Sequence, residues 1–373
     1  MNKITNLLQK QKQFNNIIQQ KVIHCGNDES FAFFAFYKYI SEPRQLIIVM
    51  ENLLACQNVY NKLSMMLKDK VYMYCVDEVT KFTTLATSPE MVSQRIYVLN
   101  KLIEQEPIIV VTHTMAIKRL TPSKITFMKN CFSLNVDQEC SINDIIYKLV
   151  KMGYQNVLKV TQPFEFSTRG GVIDIFSINY DKPVRIEFFD TIIESIRFFD
   201  EESQRTIKIT NNVKIIPATE FLIDDLNKGI QLIEEFARKQ YSLSANNLQL
   251  ESNVNDDINQ LQAYNFNESL YKYYSFFNNY ANLSEYFEHG LVLIVNEDKI
   301  KTNEKFIEDE TIEQSLNNFE EGIALKDLYL FDSVNDFIYS LREFVNISND
   351  ISNDFQFNTV ISRYRELTNA IYD

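Results

Sequence analysis

Residues 163–205 read PFEFSTRGGVIDIFSINYDKPVRIEFFDTIIESIRFFDEESQR, and this stretch decides how the middle of the chain folds. Residues 170–176 and 184–190 are rich in Val, Ile and Phe, with the turn-forming run Asn179, Tyr180, Asp181, Lys182, Pro183 between them, so they are predicted as two strands. A third strand is predicted over residues 194–199. Side chains alternate across a sheet, so Val184, Ile186 and Phe188 share one face while Arg185, Glu187 and Phe189 share the other. The first set is a core face. The second mixes both charges with a large aromatic, an unusual composition for a face that meets only water. Arg169 falls on the first strand just before Gly170 and Gly171, and comes near Arg185 if the strands pair; the glycines let the backbone bend or bulge there.

Outward from this block the pattern changes. Apolar runs at residues 21–24, 46–50, 71–75 and 108–112 alternate with helical stretches at 30–40, 53–67 and 88–104. Short apolar strands alternating with helices imply an α/β fold with a mostly parallel sheet covered on both faces. Near Cys131 a small α+β domain begins: Ser141 caps a helix running to about Met152, Gly153 stops it, and the three strands follow. From about Val213 the chain returns to the first domain through helices at 224–242 and 256–279 and a buried strand at 291–295. The run NISNDISNDFQFN after Asn346 is polar and low in complexity, as in a linker or poorly ordered edge.

A length of 373 residues fits two or three domains, and no apolar run approaches the length of a membrane span. The start, MNKITNLLQKQKQFNNIIQQ, reads as a polar amphipathic helix rather than a signal peptide, which points to the cytoplasm. Cys25, Cys56, Cys75, Cys131 and Cys140 show no C-x-x-C spacing, and only three histidines are present. Neither a zinc site nor a disulfide framework is suggested, and the cysteines read as reduced core thiols. The histidines, His24, His113 and His289, have no nucleophile or metal partner at useful spacing and read as structural. With 37 basic against 50 acidic residues the net charge is −13, and no basic cluster offsets it. Tight binding of a nucleic-acid backbone by this chain alone is therefore disfavoured. The aromatic run from Tyr264 to Tyr280 has only Lys272 beside it, too little charge for a base-stacking platform, so it reads as helical packing.

The central block resembles the amino-terminal module of the bacterial transcription-repair coupling factors (Mfd), in which EFS-x-RGG-x-[IL]-D-[IL]-F, P-x-RIE-[FL]-FD and ESIR-x-FD-x-x-[ST]-QR recur. Here these are Glu165 to Phe176, Pro183 to Asp190 and Glu194 to Arg205. Val76, Asp77 and Glu78, then Ser88, Pro89 and Glu90, then Gln94, Arg95 and Ile96, then Leu99 and Asn100 follow a second pattern of that family. The resemblance implies a degenerate UvrB-like, helicase-type nucleotide fold carrying an inserted domain that docks on UvrA. It implies a division into 1–125 (domain 1a), 126–210 (the inserted docking domain), 211–345 (domain 1b) and 346–373 (a linker or the start of a further region). The family's contact residues map onto Arg169, Arg185 and Phe189, expected as one exposed patch, with Glu187 between them as a group that orients Arg185. Without the resemblance, the favoured reading of the same arginines is that neighbouring acids such as Asp174 or Glu187 satisfy them across the sheet. RNA polymerase and DNA are implied partners of further family regions, a polymerase-interaction domain and a motor, that do not match this sequence.

The UvrB-like fold would place a phosphate-binding loop at residues 26–33, GNDESFAF. Such a loop needs glycine, lysine and a hydroxyl where Phe31, Ala32 and Phe33 stand, and only Gly26 survives at its start. The second ATP motif should continue residues 291–295 with Asp-Glu, but the residues are Asn296 and Glu297. The chain is expected to be ATP-incompetent, with no catalytic residue, no cofactor and no metal. UvrB also inserts a tyrosine-bearing hairpin for DNA after the strand ending near Cys75, and residues 76–87 leave little room for one. The competing reading is a shortened UvrB-like ATPase that loads on damaged DNA.

Overall fold

The computed structural model describes residues 22–25, 28–77, 89–277, 280–287 and 289–348. The chain opens with β1 (Val22–His24), α1 (Asp28–Ser41), β2 (Leu46–Met50), α2 (Leu53–Leu67), β3 (Val71–Tyr74), α3 (Pro89–Ile103) and β4 (Ile109–His113). Short elements follow: α4 (Thr114–Lys118), β5 (Thr121–Pro122) and α5 (Lys124–Lys129). The run LIIVM of β2 is buried throughout because both faces of the sheet are covered. Ile48 and Met50 pack on one side with Phe31, Phe34 and Cys56, whereas Ile47 and Val49 pack on the other with Ile96, Leu99 and Phe127. α1 is apolar almost all round, which buries it from Phe31 to Tyr37. Asn52 starts α2 by accepting a hydrogen bond from the Ala55 amide at 2.8 Å.

An inserted region follows, comprising β6 (Phe132–Asn135), α6 (Ile142–Lys151), β7 (Gln155–Asn156), β8 (Glu165–Arg169), β9 (Val172–Ile175), β10 (Val184–Phe189), β11 (Ile192–Phe199), β12 (Thr206–Thr210) and β13 (Asn212–Ile215). Its entry and exit strands pair with each other, β13 antiparallel to β6, with Asn212 opposite Asn135 and Ile215 opposite Phe132. The rest is a six-stranded sheet of order β12-β11-β10-β9-β8-β7. Ile145, Leu149 and Met152 of α6 pack on one face of it, against Phe166, Ile173, Ile186 and Ile196. Ser141 caps α6 as the sequence predicts, and Gly153 after its end has φ of +85°, the left-handed conformation that terminates helices.

The chain then forms α7 (Leu226–Tyr241) and α8 (Asn247–Gln262), a 3-10 helix (Glu268–Phe277), β14 (Tyr280–Ala281), β15 (Leu291–Val295), α9 (Glu297–Glu320), α10 (Val334–Ser340) and β16 (Phe344–Ser348). β15 and β16 return to the first sheet, whose order is β1-β16-β15-β2-β4-β3 with every pairing parallel. The two ends of the described chain thus build one layer, and the inserted region leaves and rejoins it. Among the described residues no helix is long and apolar enough to cross a membrane.

Two expectations need correction. Residues 170–176 are not one strand: Gly170 and Gly171 are the two-residue turn of a hairpin between β8 and β9, in which Arg169 faces Val172. Gly170 has φ of +58° and Gly171 does not have positive φ, the pattern of a hairpin turn with glycine first. The predicted helix at 256–279 starts earlier and stops at Gln262, and the aromatic run continues as a 3-10 helix. Its rings pack inward, Tyr273, Tyr274 and Phe277 joining Ile233, Leu250 and Val254, and Lys272 is held by Asp257 at 2.7 Å. β16 ends at Ser348, and the predicted polar tail beyond it lies outside the described residues. Met1 to Gln20, Gly26 and residues 78–88, on which the amphipathic start, one loop glycine and the hairpin question fall, lie outside the described residues.

Candidate functional site

The face of the inserted sheet opposite α6 is built in rows. Ser167, Asp174, Arg185, Arg197 and Ile209 face one another in register across β8, β9, β10, β11 and β12. Arg185 donates from Nε and Nη2 to the two carboxylate oxygens of Asp174, each at 2.7 Å, and from Nη2 to Gln204 Oε1 at 2.7 Å. Its guanidinium also lies 4.3 Å from the centroid of the buried Phe199 ring. The bond to Asp174 raises the Arg185 pKa further, against the opposing effect of burial. Arg185 is therefore held flat against the sheet, with 17% of its side chain exposed.

Glu187 does not orient Arg185 by hydrogen bonding. It accepts two bonds from Arg197 on β11 and one from Ser195 Oγ at 2.7 Å. The Arg197 bonds hold its carboxyl below the ordinary carboxylate range. Arg169 lies on the same face as Arg185 but not beside it. Its row runs through Val172 to Glu187, which puts it two strands from β10, about 10 Å at ordinary strand spacing. Arg169 is exposed, and its one hydrogen bond among the described residues goes from Nη2 to the Leu158 carbonyl at 2.9 Å. Arg169 and Arg185 therefore differ in kind: one guanidinium is open to solvent and the other is satisfied.

Phe189 follows a register shift in β10 between Glu187 and Phe188. On the other side of β10, Gly171 lets the hairpin approach closely: its carbonyl accepts from the Phe188 amide at 2.8 Å, and a Cβ on it would stand 2.9 Å from the Phe188 oxygen. Phe188 turns into the core and Phe189 outward, 74% exposed, opposite the half-exposed Ile192. Ile209 and Ile207 on the edge strand β12 and Leu158 beside β8 add exposed apolar surface. Sequence reasoning passed over Arg197, Gln204, Phe199 and Leu158. A strand was predicted over residues 194–199, but only the register shows that Arg197, rather than Arg185, takes Glu187.

At the C-terminal edge of the parallel sheet, where nucleotides bind in open α/β folds, lies a 200 Å³ cavity bordered by Asp28, Glu51, Asn52, Asn296 and Lys299. Phe31, Ala32 and Phe33 are buried in α1. Asn296 precedes α9 in the left-handed conformation, with φ of 57°. Glu297 accepts from Asn346 Nδ2 at 3.0 Å and pairs with Lys301. Lys299 pairs with Glu51 at 3.2 Å. His113 is buried, its Nε2 at 3.2 Å from the Val76 amide. His289 is exposed, and among the described residues no group of three or more His, Cys, Asp or Glu could hold a metal.

Residues 132–221, the inserted region with its neck, match the family model of the UvrB interaction domain. The chain is 32% identical over 295 residues to the transcription-repair-coupling factor of Bacillus subtilis strain 168, covering 77% of this chain and 25% of that protein. It is 29% identical over 297 residues to that of Staphylococcus epidermidis RP62A, and 27% identical over 297 residues to that of Staphylococcus aureus USA300, covering 76% of this chain and 25% of the relative in both cases. It thus spans about a quarter of the length of the curated relatives it matches. A parallel α/β sheet closed by its two chain ends, a UvrB interaction domain inserted between them and similarity extending over both parts place the chain in the transcription-repair coupling factor family, as its UvrB-homology module.

Proposed function

We propose that this module recruits UvrA to transcription-coupled repair by docking it on the outer face of the inserted sheet. The observation that carries the reading is Phe189: a large aromatic, 74% exposed, on a rigid strand beside a hairpin turn that also presents the open guanidinium of Arg169. An exposed ring on the same face as a solvent-exposed guanidinium suits an interface hot spot, since Arg and aromatic residues dominate such sites. Arg185 contributes as a fixed part of the surface. Contacts with RNA polymerase and DNA belong, in this reading, to the remaining length of the family proteins, and the acidic balance of this chain suits a protein partner better than a phosphate backbone.

By itself the module needs no cofactor and hydrolyses no ATP. Phe31, Ala32 and Phe33 fill the core where a phosphate loop would need a lysine and a hydroxyl, and Asp28 and Glu51 border the cavity at the sheet edge. The alternative of a UvrB-like ATPase asks those same positions to hold a nucleotide, which their side chains do not suit. Calorimetric titration of purified UvrA with the folded chain tests the docking reading. Saturable one-site binding at micromolar concentration or below supports it, and absence of heat with both proteins shown to be folded overturns it.

A further inference from the structure

We infer that Cys56 and Cys75 are an oxidisable pair that closes to a disulfide between α2 and the end of β3. Cys56 lies in the first turn of α2 and Cys75 directly follows β3, and their Sγ atoms are 3.0 Å apart. This is closer than an ordinary contact between unbonded sulfurs and about 1 Å from bonding distance. Both thiols are buried at the sheet's C-terminal end. The register that sets Tyr74 opposite Thr112 brings Cys75 beside His113, and Arg95 Nη1 donates to the Cys75 carbonyl at 2.9 Å.

The two sulfurs are not equivalent. Burial raises the pKa of Cys75, but the Cys56 thiol, His113 and Arg95 together outweigh it and bring Cys75 down to about 6. Cys56 is driven the opposite way and keeps its proton. The position of Cys75 beside His113, with the Arg95 guanidinium on its carbonyl, makes Cys75 the proposed nucleophile and Cys56 the resolving thiol. With hydrogen peroxide as oxidant, the Cys75 thiolate attacks one peroxide oxygen, the O–O bond breaks and the departing hydroxide takes a proton to leave as water, with a sulfenic acid on Cys75. The Cys56 sulfur then attacks the sulfenic sulfur, the S–S bond forms, and the hydroxyl leaves with the Cys56 proton as water. Two thiols lose two electrons and two protons, and the peroxide is reduced to water.

The test treats the folded 373-residue chain with hydrogen peroxide, then denatures it, labels its thiols with maleimide and maps its peptides by mass spectrometry. The expected result is loss of two of the five thiols, a linked peptide pair containing Cys56 and Cys75, and full recovery on reduction. Cys56→Ala should stop the reaction at a sulfenic acid on Cys75 that dimedone traps, whereas Cys75→Ala should leave Cys56 unoxidised. Retention of all five thiols in the folded wild-type chain, under conditions that oxidise the unfolded chain, overturns the inference. So does a link that uses Cys25, Cys131 or Cys140. Because the decisive measurement is made on the wild-type chain, a variant that fails to fold does not blur the outcome.

Discussion

Arg185 and Asp174 face each other across β10 and β9, and the guanidinium grips both carboxylate oxygens at 2.7 Å. Asp174 is almost fully buried, with 6% of its side chain exposed, so its charge depends on that partner. Arg185→Ala should therefore destabilise the chain by about 3 kcal/mol, the lower end of the cost of leaving a buried charge unpaired because Arg185 is itself partly exposed. Replacing Asp174 with Asn in the same chain should recover part of that loss. Urea unfolding of the single and double variants measures both. A destabilisation of the single variant within about 0.5 kcal/mol, the range for surface positions, would show that the pair is solvated.

For the docking surface this means that Arg185→Ala mixes binding with folding and is a poor probe. Phe189→Ala and Arg169→Ala are cleaner. Neither side chain is buried, so each should leave stability within about 0.5 kcal/mol of wild type. Each should cost about 2 kcal/mol in UvrA affinity, roughly thirty-fold. Calorimetric titration with parallel melts reads both quantities, and normal UvrA binding by Phe189→Ala would remove the hot spot from this face.

Strand and helix identity was legible wherever burial is two-sided or a cap is explicit. β2, α2 and β15 fall where their apolar runs end, and α6 begins after Ser141. Pairing was legible only in part. The hairpin at Gly170 and Gly171 is a local pairing, Phe166 opposite Ile175, and a glycine pair between two strand-patterned runs signals such a turn; reading the glycines as a bend within one strand misses it. The partners of Arg185 and Glu187 were not legible: the sequence offered Asp174 or Glu187 to Arg169 and Arg185, whereas the register gives Asp174 to Arg185 and Glu187 to Arg197, a residue outside that choice.

The isolated chain should neither bind nor hydrolyse ATP. The cation bordering the sheet-edge cavity, Lys299, is paired with Glu51, and Asp28 adds like charge toward a phosphate. Titration with ATP and magnesium should give no heat at micromolar concentrations, and phosphate release should match a buffer control. Saturable binding or turnover that survives repurification would return the nucleotide reading to favour.

Glu220 joins Arg95 at 2.7 Å and Arg119 at 3.5 Å, with Arg95 and Glu220 themselves almost fully buried. Burial alone would raise the Glu220 pKa, but the two guanidiniums outweigh it and leave the carboxyl below its ordinary value. Glu187 is lowered in the same sense by Arg197, and Glu343 by Arg44. A carboxyl whose folded pKa lies below its unfolded value, about 4.3 for Glu, contributes stability above that value and loses it as pH falls through the folded pKa. Stability should thus be level from neutrality to about pH 5 and fall below about pH 4. Glu220→Gln leaves two guanidiniums without their shared carboxylate and should cost about 3 kcal/mol at pH 7. Once wild-type Glu220 is itself protonated, that difference has no electrostatic source, so urea unfolding should show the gap narrowing as pH is lowered. A gap that stays constant between pH 7 and the acid limb would place the effect of Gln in packing and not in the charge of Glu220.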